Sequence, residues 1–189
     1  MSEQPSYVQA PRPDDDPSRP LVYFLCTGNA ARSVMGSAMM RVRLGAEPRV
    51  SVDSGGTHVL PGQIMSVRTR TALEGHGIRD PFHRSRQLTV RDIERATVIL
   101  AMEPDHLRWI RRMHPEAAPI TGSLKRVVRD LTPPDQGPLS ERVASLGLAS
   151  VEFEDWEEVI DPGGGEQPVF DAAAAEIAAL VDALCPLLP

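Results

Sequence analysis

The segment Cys26-Thr27-Gly28-Asn29-Ala30-Ala31-Arg32-Ser33 sets an arginine six positions after a cysteine, with a serine directly behind it. Those residue types suit phosphoryl transfer. A thiolate is a strong nucleophile, and a planar guanidinium grips two oxygens of a tetrahedral anion at once, which a lysine cannot do as a point charge. Gly28 and Asn29 let the backbone turn, and the small side chains of Ala30 and Ala31 keep the inside of the turn open. Successive backbone N–H groups in such a turn converge on anion oxygens, and a helix starting just behind it adds its positive end. Cys26 is therefore expected to be the nucleophile, Thr27, Gly28, Asn29, Ala30 and Ala31 to bind substrate, and Arg32 to hold the equatorial oxygens. The Ser33 hydroxyl is expected to donate to the thiolate and ease its departure. The same spacing also admits a plainer reading, a buried structural thiol beside a surface arginine.

Such a loop works only if a strand and a helix hold it. Leu21 to Cys26 is a short apolar run suited to a strand buried on both faces, and it stops at the turn formers Gly28 and Asn29. Residues 33–44 read as the following helix, with Ser33 as cap, Met35, Met39, Met40 and Val42 as apolar stripe, and Gly45 as stop. Residues 49–53 alternate as a second strand, and residues 66–76 read as a helix closed by Gly77. Thr89 caps a short helical turn, residues 97–102 form another buried strand, and Pro104 opens a helix over residues 106–113. This alternation predicts an α/β fold: one domain, a parallel sheet of about four strands with helices on both faces, and the phosphate loop at the carboxyl end of the first strand. Residues 130–150 read as a longer excursion with one short helix at 140–146, and residues 170–184 as the clearest helix of the chain.

Composition narrows the partners. The 189 residues carry a net charge of −6 and no Lys/Arg cluster free of interleaved apolar or acidic residues, so nothing favours a nucleic acid. The six-residue apolar run at Leu21 is too short for a signal peptide or a membrane span, so a cytoplasmic protein is expected. Only Cys26 and Cys185 are present, without metal-ligand spacing, so no metal, cofactor or disulfide is expected, and Cys185 reads as a buried structural thiol. Residues 1–19 hold four prolines and the run Asp14-Asp15-Asp16, which reads as a disordered tail ahead of a catalytic domain over residues 20–189.

At this point the residues closely resemble the low-molecular-weight protein tyrosine phosphatase family, within the superfamily that also holds arsenate reductases. Its signature is a Cys, five residues, Arg and Ser after the first strand. Val52-Asp53-Ser54-Gly55-Gly56-Thr57 is similar to the family's second-strand end, Gly77-Ile78 with His83, Arg86, Gln87 and Leu88 to its middle segment, and Asp161-Pro162 to its late acid motif. The resemblance implies metal-independent hydrolysis of a phosphorylated protein or small aryl phosphate, through a phosphocysteine on Cys26 with Asp161 as general acid and then base. It also implies that Asn29 is left-handed and is held by hydrogen bonds involving Ser54 and His83. Pro162 and Gly163-Gly164-Gly165 imply a stiff residue followed by a mobile loop.

Several positions depart from that family. Ala31 stands where many members carry a second Cys. Gly163 and Gly164 replace aromatics that commonly follow the Asp-Pro pair, and Val59 falls where a wall aromatic often stands, leaving Trp109 or Trp156 as substitutes. Two other functions stay open at this point: an arsenate reductase using an external thiol, and a non-catalytic phosphate-binding module.

Overall fold

A computed structural model describes residues 7–13 and 16–189. Its centre is a four-stranded parallel sheet of β2 (Leu21–Cys26), β3 (Ser51–Gly56), β5 (Ala96–Ala101) and β6 (Thr121–Ser123), in the order β3-β2-β5-β6. The connecting segments carry helices α1 (Arg32–Leu44), α2 (Val67–Gly75), α3 (Val90–Arg95), α4 (Pro104–Met113), α5 (Leu124–Asp130), α6 (Leu139–Ala144) and α7 (Gln167–Leu184). Alternation along β2 explains the layering. Val22 and Phe24 face a core built with Met35 and Met39 of α1 and Ile177 and Val181 of α7. Leu21, Tyr23 and Leu25 face a second core with Ile93 and Ile110. Burying both faces is what a parallel sheet between crossover helices requires, and each large aliphatic side chain so buried stabilises the fold by about 1.5–3 kcal/mol.

The register sets the site. β2 lies between β3 and β5, with Cys26 opposite Gly56 and Leu25 opposite Ala101, so the carboxyl ends of all three strands open on the same edge. α1 approaches β2 closely because Gly36 has no Cβ; one placed there would sit 2.6 Å from Phe24 Cδ1. The loop after β2 is thus held between the central strand and a closely packed α1.

Three features differ from expectation. β3 begins and ends about two to three residues later than the alternation at 49–53 suggests, because its pairing with β2 continues through Gly55 and Gly56. β6 and α5 occupy residues 121–130, to which the sequence patterns assign no element; β6 is three residues long and carries no legible period. The expected tail does not hold for the described residues 7–13. There β1 (Val8–Gln9) pairs in parallel with β4 (Ile78–Arg79), Arg79 lies over the Tyr7 ring at 3.8 Å, and Arg41 Nε donates to the Pro11 carbonyl at 2.8 Å. Two-residue strands are set by such long-range contacts and leave no pattern in the sequence. The Asp14-Asp15 part of that expectation lies outside the described residues. Among the described residues, no helix is long and apolar enough to cross a membrane.

Candidate active site

The loop leaves β2 at Cys26, which is 4% exposed, and enters α1 at Arg32. Asn29 sits at its turn with φ of 48°, a left-handed conformation that Asn tolerates better than most side chains. Its side-chain amide is fully employed: Nδ2 donates to Ser33 Oγ and Ser54 Oγ, each at 3.0 Å, and Oδ1 accepts from the Arg86 N–H at 3.0 Å. Because the Arg86 N–H can only donate, this pattern fixes which way the amide points. It also engages Ser33. Having accepted from Asn29, the Ser33 hydroxyl has its own proton free to donate to a thiolate at Cys26 Sγ, 2.9 Å away. Ser33 does not cap α1; the helix already begins at Arg32, so the cap position falls to Ala31, which has no polar side chain to offer.

The loop carbonyls are tied outward. Cys26 O accepts from the Thr57 N–H at 3.0 Å, Thr27 O from the His58 N–H at 2.9 Å, and Ala30 O from Thr69 Oγ1 at 2.9 Å. Gly56 lies against this turn so tightly that a Cβ there would overlap the Thr27 carbonyl and come within 2.9 Å of the Asn29 nitrogen. His83 is partly buried and meets the Asn29 backbone; burial pushes its pKa down, against the influence of Asp80 and that hydrogen bond.

Arg32 is buried at the loop's far end. Its two terminal nitrogens meet Glu103 Oε2 at 2.6 Å and Asp161 Oδ2 at 3.3 Å. Burial opposes its charge, but Glu103, Asp161 and Cys26 more than offset that and hold its pKa above the ordinary value. Asp161 thus reaches the cup, on an arm whose Val159 N–H donates to Met102 O at 2.8 Å and whose Ile160 N–H donates to Glu176 Oε2 at 2.8 Å. The Gly163 N–H donates to Asp161 Oδ1 at 3.0 Å. An open hollow of about 370 Å³ joins the parts; Cys26, Thr27, Ala30, Arg32, Asp161 and Phe170 are among its lining.

Sequence reasoning did not find Glu103, His106, Thr69, Arg86 or Phe170 as site residues. Glu103 and His106 follow the carboxyl end of β5, and it is the pairing of β5 with β2, not a local pattern, that brings them to the loop. Neither tryptophan lines the hollow. Trp109 packs against His58 and His114, and Trp156 lies beneath Arg126 and Arg129. Cys185 is not fully buried; it opens the 3-10 turn Cys185–Leu187 just beyond α7, and burial raises its thiol pKa.

Comparison with known proteins agrees with this geometry. The family model described as low molecular weight phosphotyrosine protein phosphatase matches residues 21–131. A protein-arginine-phosphatase of Geobacillus stearothermophilus is 31% identical over 163 residues, covering 86% of this chain and 92% of that protein. The solved structure of the YwlE arginine phosphatase from Geobacillus stearothermophilus superposes with a TM-score of 0.69 at 32% identity, over 87% of this chain and 89% of that one. A low molecular weight protein tyrosine phosphatase from T. tengcongensis gives a TM-score of 0.69 at 26% identity, over 87% and 97%. A match running from the strand ahead of Cys26 to the end of α5, with a relative similar along most of both chains, shows that this chain belongs to the low molecular weight phosphotyrosine protein phosphatase family.

Proposed function

We propose that this protein hydrolyses phosphorylated side chains of proteins through a phosphocysteine on Cys26, with no metal taking part. The observation that carries the reading is convergence: Cys26, Arg32 and Asp161 line one hollow, and the buried Ser33 hydroxyl lies 2.9 Å from the Cys26 sulfur. The Cys26 thiolate attacks phosphorus, forming the S–P bond as the P–O bond to the leaving group breaks, and Asp161 gives that oxygen its proton. Arg32 and the loop N–H groups hold the three remaining oxygens, exchanging the Asp161 contact for the substrate. A water then attacks phosphorus, Asp161 takes its proton, and the sulfur departs as thiolate, stabilised by the Ser33 hydroxyl. Inorganic phosphate leaves. The cytoplasm, where thiols stay reduced, is the compartment in which such a nucleophile works, and both cysteines are free.

Phosphotyrosine is the substrate expected from the family's name. Phosphoarginine is a second reading, favoured by the lining: among the described residues the buried Phe170 is its one aromatic, and Gly163 leaves the rim beside Asp161 bare. A phenyl ring finds little to stack on there, whereas a guanidinium would lie against a carboxylate. The test is release of phosphate from p-nitrophenyl phosphate, a phosphotyrosine peptide and a phosphoarginine peptide, in reductant and chelator. Turnover that vanishes in Cys26→Ser supports the reading, and the ratio between the two peptides chooses the side chain. An inert wild type under these conditions contradicts it.

A further inference from the structure

Two side chains just beyond β5 join the ends of the phosphate loop to each other. Glu103 Oε2 accepts from Arg32 at 2.6 Å, while its Oε1 lies 3.1 Å from His106 Nε2. The same Nε2 is 3.0 Å from Thr27 Oγ1. His106 is only 2% exposed, and its Nδ1 has no partner among the described residues. These contacts favour one tautomer. With a carboxylate oxygen 3.1 Å from Nε2 and no partner for Nδ1, the hydrogen is better placed on Nε2; the other tautomer would aim a lone pair at Glu103 and bury an unpaired Nδ1–H. Burial drives the ring's pKa down to about 4, with Arg32 acting the same way and Glu103, Asp161 and Asp105 opposing, so the imidazole is neutral near neutral pH. With its oxygen accepting from Nε2–H, the Thr27 hydroxyl keeps its own proton to donate.

We propose that His106 is a positioning residue for oxyanion binding: through one N–H it braces Glu103 behind Arg32 and Thr27 at the mouth of the loop, so that both ends of the cup are set before substrate arrives. Arg32 alone has rotatable bonds enough to leave the cup. Glu103 holds it there, and His106 in turn denies Glu103 other orientations. Thr27 opens the loop and Arg32 closes it, so one imidazole fixes the distance across the anion site. The catalytic consequence rests on the phosphatase reading, whereas the binding consequence does not.

Calorimetric binding of inorganic phosphate, read beside p-nitrophenyl phosphate kinetics, tests this on wild type, His106→Ala, His106→Gln and Thr27→Val. His106→Ala should weaken phosphate binding about tenfold and raise KM in step, with Gln restoring affinity to within about threefold because its amide N–H replaces Nε2–H. Thr27→Val should weaken binding severalfold, and adding it to His106→Ala should cost little more, since the two act as a unit. If His106→Ala does not fold, Thr27→Val and His106→Gln still decide. Wild-type phosphate affinity in His106→Ala or Thr27→Val overturns the brace, as does an equal loss in His106→Ala and His106→Gln, or losses that simply multiply. A wild type that binds phosphate but turns nothing over contradicts the phosphatase reading instead, and leaves the affinity comparison intact.

Discussion

The phosphate loop and the Asp161 arm meet at one hollow but are built on opposite plans. In the loop, Asn29 is fully buried and every polar atom of its side chain is bonded, Ser33 is held between Asn29 and Cys26, and Gly56 packs against the turn from behind. The Asp161 side chain is 49% exposed, and its own contacts are one backbone N–H and an ion pair with Arg32. Only the arm's root is firm: Glu157 is buried and accepts from Ser123 Oγ at 2.6 Å and Arg126 Nε at 2.9 Å. The contrast fits the roles proposed for each part. Groups that hold three oxygens must not move between binding and transition state, whereas a proton donor serves first a leaving group and then a water, and needs freedom between them.

That contrast can be broken from either side. Asp161→Asn should lower kcat on p-nitrophenyl phosphate about 100- to 1,000-fold. Phosphate affinity should hold or rise, because a neutral amide no longer competes for Arg32; a fall in both would put Asp161 in the cup rather than on the arm. Asn29→Ala should act on both quantities, lowering kcat and phosphate affinity by roughly tenfold each. It strands the Arg86 N–H and places an alanine at positive φ, so the melting temperature should also drop, by an amount corresponding to about 2–3 kcal/mol. An Asn29→Ala protein with native kcat would show that the loop holds itself.

Smaller effects sharpen the comparison. Glu157→Gln leaves Arg126 short of its partner at the arm's root and should cost about 2 kcal/mol of stability while lowering kcat only severalfold. Phosphate binding should be unaffected, because the loop does not lean on that pair. A further effect falls on pH dependence. With His106 pushed down to about 4 against an ordinary 6.5, the unfolded chain binds a proton that the native one refuses between those values. Stability is therefore complete above pH 6.5 and declines as pH falls toward 4, by on the order of 3 kcal/mol at most from this group, and the lowered His83 acts in the same direction. Melting curves across that window should be flatter for His106→Gln than for wild type.

What was legible in the sequence follows the same division. The loop could be placed because its residues are contiguous and flanked by a strongly patterned strand and helix, and β2 and β5 stood out as apolar runs. Glu103 and His106 carry no such mark. Their relation to Arg32 and Thr27 exists only because β5 lies next to β2 in register, a pairing that links residues more than seventy positions apart. Ser33 was misplaced as a cap because serine before a helix usually caps it, whereas α1 already begins at Arg32. β1 and β4 were missed because two residues carry no period.

The central claim is that Cys26 itself carries the phosphoryl group. The most direct measurement is rapid acid quench of Asp161→Asn during turnover of p-nitrophenyl phosphate, followed by intact and peptide mass spectrometry. The expected result is a single phosphoryl adduct on the peptide containing Cys26, absent from Cys26→Ser/Asp161→Asn, because without Asp161 to activate water the intermediate should outlive its formation. A burst of p-nitrophenol with Cys26 unmodified, or an adduct that persists in the double variant, would contradict it.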